Sequence, residues 1–257
     1  MSSITIRRCC IGEGRPKVIV PIVERTEAAI LQKAAAFSTI SADCVEWRAD
    51  WFADALDADA LDADALSRCL RGLRAALGEK LLLVTFRTQT EGGEAALTAD
   101  QYAAFCAAVC ASGCADLLDI EFFSAGERLP QWIAAAHAAG VKVVCSSHDF
   151  QKTPPRAELV ERMLWMQQAG ADLPKLAVMP TCRTDVLELL AATAEMADRH
   201  PETPVITMSM GALGAVSRLC GEAFGSAMTF ANPGTASAPG QVPLDVVDTV
   251  LDSLRLS

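Results

Sequence analysis

The chain has 257 residues, 51% of them hydrophobic, and 22 lysines and arginines against 32 acidic residues give a formal net charge of -10 at pH 7. That length and apolar content suffice for one large core, so residues 1–257 are read as a single domain. The acidic balance argues against a general nucleic-acid surface, no apolar run reaches the ~20 residues that span a bilayer, and the first ten residues lack the order of a signal peptide, so a cytoplasmic protein is expected.

Eight short apolar segments recur, each followed by a stretch with helical spacing. In chain order they are 17–23, 44–50, 81–88, 116–121, 142–148, 175–179, 204–210 and 226–230. This alternation predicts a parallel sheet, and runs that are apolar on both faces predict one covered by helices. Eight units fill a closed (β/α)8 TIM barrel, with a doubly wound open sheet as the alternative.

Ahead of the first segment, Cys9 and Cys10 sit in what reads as a mobile end. Behind it, Thr26 precedes a helical Glu-Ala-Ala-Ile-Leu-Gln-Lys run. In the second segment, Val-Glu-Trp-Arg-Ala-Asp, strand alternation puts Glu46 and Arg48 on one face and Trp47 on the other. An ordinary Glu46–Arg48 ion pair is the bland alternative to a pair lining the barrel mouth. Ala-Leu-Asp-Ala-Asp then occurs twice, at 55–59 and 60–64. Its five-residue period turns successive leucines by ~140° on a helix, so it reads as an acidic surface insertion leading into a helix over 66–77. In the third segment Thr85 and Arg87 share a face, and Glu91-Gly92-Gly93-Glu94 turns the chain just past the strand end. Thr98-Ala-Asp-Gln101 fits a capping box. Cys106, Cys110 and Cys114 recur every four residues along the helix that follows, which suits core packing better than tetrahedral zinc. The ten cysteines include no CxxC pair, so reduced thiols and no metal are expected.

Ser-Ser-His-Asp-Phe (146–150) ends the fifth segment. Its strand-end His148 is a better acid/base candidate than His137 or His200, which fall in helical or loop contexts. Lys175 lies in Asp-Leu-Pro-Lys-Leu-Ala-Val-Met-Pro (172–180), a run otherwise fit for a buried strand. A desolvated amine with a histidine nearby is the minimum equipment for Schiff-base chemistry on a ketone, whereas a lysine snorkelling into solvent is the alternative. Arg218, beyond the seventh segment, suits bidentate capture of a carboxylate, while Gly211 and Gly214 leave a phosphate site open. The turn-rich stretch 231–241 reads as a mobile loop over the mouth, bringing Ser237 and Gln241 to a ligand.

Six ordered motifs carry a resemblance to the type I 3-dehydroquinate dehydratases, from about Val18 to Val247. They are Glu-Trp-Arg-Ala-Asp (46–50), Thr-Phe-Arg-Thr with Glu-Gly-Gly (85–93), Ser-His-Asp-Phe-Gln-Lys-Thr-Pro (147–154), Pro-Lys-Leu-Ala-Val-Met-Pro (174–180), Ser-Arg-Leu with Gly-Glu-Ala-Phe-Gly-Ser (217–226), and Ala-Ser-Ala-Pro-Gly-Gln (236–241). The resemblance implies a (β/α)8 barrel that eliminates water from 3-dehydroquinate through a lysine imine, giving 3-dehydroshikimate, with no cofactor. It further implies Lys175 as the imine-forming residue, His148 as general acid/base and Glu91 as the residue orienting it. Glu46, Arg48 and Arg87 would hold substrate hydroxyls and the site's charge, Arg218 the carboxylate, Met208 and Met210 the pocket wall, and Ser237 and Gln241 the closing loop. A homodimer is the implied assembly. Glu24, where the family commonly has glycine, and the Leu-Asp-Ala-Asp insertion depart from the pattern. A sugar-phosphate aldolase and a catalytically silent ligand-binding barrel are the competing readings.

Overall fold

The structure is a computed structural model and describes residues 2–52, 62–234 and 238–256. The chain opens with an antiparallel hairpin, β1 (Ile4–Ile6) and β2 (Cys9–Ile11), turned at Arg7 in the left-handed region. Eight parallel strands follow: β3 (Lys17–Ile22), β4 (Cys44–Arg48), β5 (Leu81–Thr85), β6 (Leu117–Glu121), β7 (Lys142–Asp149), β8 (Leu173–Val178), β9 (Ile206–Ser209) and β10 (Met228–Asn232). A two-residue strand, β11 (Val242–Pro243), pairs with β10. Each of β3 to β9 pairs with the next strand up to β9, and β10 pairs with β3. A bridge from Val205 to Ser226, with Ala227 N–H donating to the Val205 carbonyl at 2.8 Å, closes the ring between β9 and β10. All eight expected strands are therefore present, and the open-sheet alternative is excluded.

Alternation along these strands makes two cores. Outward residues, among them Val20, Trp47, Val84, Ile120 and Val143, pack beneath the helices. Inward residues Ile19, Cys44, Leu81, Leu117, Val144, Leu173 and Ile206 fill the barrel's N-terminal half. Ile11 of the hairpin is fully buried against them, so this segment plugs the barrel floor and is not the mobile end expected from its position. Three-residue strands fall below the window in which alternation is legible. At the floor, Asp43, Asp116 and Asp172 each precede a strand and accept the N–H of the residue opposite, Val18, Leu82 and Val143, at 2.8, 2.9 and 2.8 Å. These carboxylates satisfy donors that the staggered strand starts leave unpaired.

The connections are largely helical: α1 (Glu27–Phe37), α2 (Ala63–Leu77), α3 (Ala99–Ser112), α4 (Phe122–Ala125), α5 (Leu129–Ala138), α6 (Arg156–Gln168), α7 (Arg183–Arg199), α8 (Gly211–Gly214), α9 (Gly221–Phe224) and α10 (Leu244–Ser253). Thr26 caps α1, and the expected capping box opens α3 with both reciprocal bonds. Helix α2 starts before residue 66: Asp62, within the second copy of the tandem repeat, caps it by accepting from Asp64 and Ala65 N–H. Residues 53–61, which include the first copy of that repeat and the start of the second, lie outside the described residues. Cys114 does not share a helix face with Cys106 and Cys110, because α3 stops at left-handed Gly113. After β9 only short turns, α8 and α9, occupy the place of a long helix. No helix among the described residues is long and apolar enough to cross a membrane.

Candidate active site

Above the apolar floor the same inward alternation turns polar. Glu46 and Arg48 come from β4, Arg87 from just beyond β5, Asp119 and Glu121 from β6, Ser146 and His148 from β7, Lys175 from β8, and Phe230 from β10. Strand register sets their heights, since Thr85 pairs with Asp119, Glu121 with Ser146, and Ser146 with Lys175. Glu46, Arg48, Arg87, His148, Lys175 and Phe230 line a cavity of about 160 Å³ at the C-terminal ends of the strands, where barrel enzymes place their chemistry, and Asp119, Glu121 and Ser146 stand behind them. Every expected site residue within the described part of the chain lines it: Glu46, Arg48, Arg87, Glu91, His148, Lys175, Met208, Met210, Arg218 and Gln241. Ser237 lies outside the described residues.

Lys175 is 3% exposed, the third residue of β8 and not its first, so the snorkelling alternative fails. Its ammonium donates to Asp119 Oδ2 at 3.1 Å and sits 4.7 Å over the Phe230 ring. Asp119 Oδ2 also meets Arg87 Nη2 at 2.9 Å, and its Oδ1 accepts from Ser146 Oγ at 2.6 Å. Burial pushes the Asp119 carboxyl up, but Arg87 and Lys175 outweigh it and hold the group below its ordinary value. Burial likewise opposes the charge on Arg87, which three carboxylates, Asp119, Glu121 and Glu91, nevertheless make harder to deprotonate.

Glu91 stands on a tight turn (Gln89–Glu91) whose exit requires glycine: Gly92 is left-handed at φ +83°, and a Cβ on Gly93 would lie 1.8 Å from the Arg87 carbonyl oxygen. This turn places Glu91 Oε2 at 2.8 Å from His148 Nδ1 and 3.1 Å from the His148 N–H. Phe150 stacks at 19° to the imidazole. Burial, reinforced by Arg87, Lys175 and Arg48, pushes the His148 imidazolium well below its usual range. Burial also raises the Glu91 carboxyl to about 8, against the pull of Arg87 and with the push of Glu121 and Asp119. The two groups titrate as a dyad: with one proton on the Nδ1–Oε2 axis, His148 Nε2 keeps a lone pair for a base, and with two it is an acid.

Glu46 and Arg48 do not pair with each other. Glu46 Oε1 accepts from Thr85 Oγ1 at 2.9 Å, and Arg48 makes a two-pronged pair with buried Asp50 at 2.7 Å on each oxygen. Arg218 is 1% exposed and faces no carboxylate among the described residues. Its Nη1 reaches Met208 Sδ at 3.5 Å, its Nη2 donates to the Pro239 carbonyl at 3.2 Å, and its buried Nε has no partner among the described residues. Burial pushes this guanidinium down to about 10. A desolvated cation aimed into a cavity suits the anionic group of a ligand. On the described part of the loop, Gly240 is left-handed and too close to Gly211 for any side chain, which seats Ala238, Pro239 and Gln241 over the mouth.

The residues missed from sequence are Asp119, Glu121, Asp50, Ser146 and Phe230. Asp119 and Glu121 in Leu-Leu-Asp-Ile-Glu obey the alternation that revealed Glu46 and Arg48, so that signal was present. No group of three or more histidine, cysteine or acidic side chains among the described residues is arranged to hold a metal ion.

Fold and site together define a barrel enzyme equipped for covalent amine chemistry on a carboxylated ketone. The family described as type I 3-dehydroquinase matches residues 18–257. A 3-dehydroquinate dehydratase of Salmonella agona is 43% identical over 255 residues, 99% of each chain. Among solved structures, a Clostridium difficile type I 3-dehydroquinate dehydratase with covalently modified comenic acid superposes with a TM-score of 0.93 at 40% identity, covering 98% of both chains. A Geobacillus kaustophilus 3-dehydroquinate dehydratase gives 0.93 at 39% identity, covering 98% of this chain and 96% of its own. The chain belongs to the type I 3-dehydroquinase family.

Proposed function

We propose that Lys175, His148 and Glu91 carry out the family's reaction in this chain, the elimination of water from 3-dehydroquinate to give 3-dehydroshikimate, as a hydro-lyase. The observation that carries this is the buried Lys175 amine and the His148–Glu91 dyad facing one cavity beside the unpaired Arg218. The Lys175 ammonium gives up a proton, its free amine attacks the ring ketone, and a proton returned to the carbinolamine hydroxyl lets it leave as water, yielding an iminium that acidifies the neighbouring carbon. His148 Nε2 takes that proton, with Glu91 fixing the ring through Nδ1. The enamine collapses and expels the β-hydroxyl, to which the imidazolium returns a proton, and hydrolysis of the imine frees the amine. Glu46, Arg48 and Arg87 hold the substrate hydroxyls and the site's charge. Arg218 binds the carboxylate, Met208 and Met210 form the apolar wall, and Ser237 and Gln241 close the mouth.

Within this reading residues 1–257 act as one catalytic unit, working in the cytoplasm as a homodimer. The deciding experiment follows the conjugated enone by ultraviolet absorbance on adding 3-dehydroquinate, with borohydride added during turnover. Enone formation with a reduced adduct on Lys175 is expected. Turnover without an adduct, or an adduct on Lys152, would remove Lys175 as the nucleophile.

A further inference from the structure

Two carboxylates around Arg87 have no step in the chemistry above: Asp119, which holds the Lys175 ammonium, and Glu121, which touches neither Lys175 nor His148. Glu121 is completely buried and does not line the cavity. Its carboxylate is saturated by four donors: Arg87 Nη1 at 2.8 Å and Thr88 N–H at 2.9 Å on Oε1, Thr88 Oγ1 at 2.7 Å and Ser124 Oγ at 2.6 Å on Oε2. A buried carboxylate has about four lone-pair sites, so none remains for a ligand. The Glu121 N–H in turn donates to the hydroxyl of buried Tyr102 at 3.0 Å, which fixes the end of β6 from behind.

The distances show what this clamp does to its neighbour. Arg87 Nη1 is 2.8 Å from Glu121 and 3.0 Å from Ser146 Oγ, which take its two N–H groups, but 3.4 Å from Glu91 Oε2, the oxygen that also meets His148 Nδ1 at 2.8 Å. A guanidinium forks readily onto a single carboxylate. If Arg87 closed on Glu91, it would compete with the imidazole for that same oxygen. We propose that Glu121 is a positioning residue that takes the close contact of Arg87 Nη1 and so leaves Glu91 to orient His148.

The inference rests on the reading of His148 and Glu91 as the proton-transferring pair, and the test separates the two. Charged groups acting on the dyad are Arg87 beyond β5, Asp119 and Glu121 on β6, Arg48 on β4 and Lys175 on β8. Glu121→Gln keeps the shape and the carbonyl acceptor for Arg87 and Thr88 N–H, while the hydroxyls of Thr88 and Ser124 can rotate to accept from the new amide. It removes a negative charge that favours protonation of Glu91, and it weakens the hold on Arg87 from a charge-assisted bond to a neutral one, so that Glu91 competes better for Nη1. Both changes make the dyad harder to protonate.

Two measurements on the intact enzyme are needed: kcat/KM against pH, and the ring resonances of His148, one of only three histidines, titrated by NMR without substrate. In Glu121→Gln the acidic limb and the His148 resonances should both move to lower pH by about one unit, in the range a nearby charge commands. We expect kcat to fall about tenfold with KM little changed, and Glu121→Asp, which keeps the charge, to hold the limb near its original position. Ser124→Ala, which removes one donor from the clamp, should shift the limb the same way but less, and it serves should Glu121→Gln not fold. Moved resonances with an unmoved kinetic limb would uphold the role of Glu121 and refute the dyad as the kinetically decisive base. Unmoved resonances in both Glu121→Gln and Ser124→Ala, or a rise in KM with kcat intact, would overturn the assignment.

Discussion

Arg218 allows an argument in which stability and affinity move in opposite directions. Without substrate its guanidinium is buried with no counter-ion among the described residues, and burial pushes it from its ordinary value down to about 10. At pH 7 the group is charged in both folded and unfolded chains, so the whole penalty is present, roughly 3 kcal/mol at 1.36 kcal/mol per unit. Arg218→Met removes that cost and keeps an unbranched side chain against Met208. It also loses the bond from Nη2 to the Pro239 carbonyl, worth about 1 kcal/mol. That carbonyl still accepts from Gly211 N–H at 3.2 Å, so it is not orphaned. The net expectation is a ligand-free enzyme about 2 kcal/mol more stable, a rise of roughly 4–8 °C in Tm for a domain of this size. Substrate binding should change the other way. A carboxylate docked in this cavity without its guanidinium forfeits roughly 2–4 kcal/mol, or about 30- to 1,000-fold in KM. Thermal unfolding without ligand and steady-state kinetics on 3-dehydroquinate measure the two. A variant of lower Tm with an unchanged KM would sink the reasoning, because Arg218 would then be an integral part of the fold and not a waiting anion site.

The dyad predicts that kcat/KM falls as pH drops through the range where Glu91 takes its proton, about 8, since the pair then already holds the proton His148 must accept. An identical limb in Glu91→Gln would assign it elsewhere. His148→Ala should lose about 10²-fold or more in kcat while still forming imine, detected as a borohydride-reduced mass adduct; near-normal turnover would make His148 structural. Gln241→Ala should raise KM about two- to tenfold, the worth of a hydrogen bond, and leave trapping at Lys175 intact. An unaltered KM would reduce the described end of the loop to a surface turn.

How far the site was legible depended on how many levels of structure each residue's role needed. Lys175 required only one to stand out, since an ammonium in an apolar strand is costly, but taken alone it favoured a snorkelling lysine, and the chemistry followed from reading His148 beside it. Glu46, Arg48 and Arg87 required a second, the two-residue alternation that turns strand positions into a mouth and a back. The partners of Glu46 and Arg48, whose mutual ion pair was the bland alternative, show where that level stops. Side chains two apart on a strand share a face, but Arg48 pairs with Asp50 in the following turn while Glu46 accepts from Thr85 on the next strand. Alternation does not see such a turn.

Asp119 and Glu121 needed a third level, strand order around the ring. Both were visible as inward carboxylates, yet nothing local says that β6 lies between the strands carrying Arg87 and His148. Only that order decides which cations the two acids meet. With it in place, Arg87 has three carboxylates to choose from, and hydrogen-bond saturation settles the choice. Asp119 shares one oxygen between Arg87 and Lys175. Glu121 draws its hydroxyl donors from the back of the site, from Thr88 and Ser124. Glu91, tethered by the His148 N–H, is left with the imidazole. The division of labour among three like charges follows from which donors each can reach, so it belongs to the closed barrel and to no single motif.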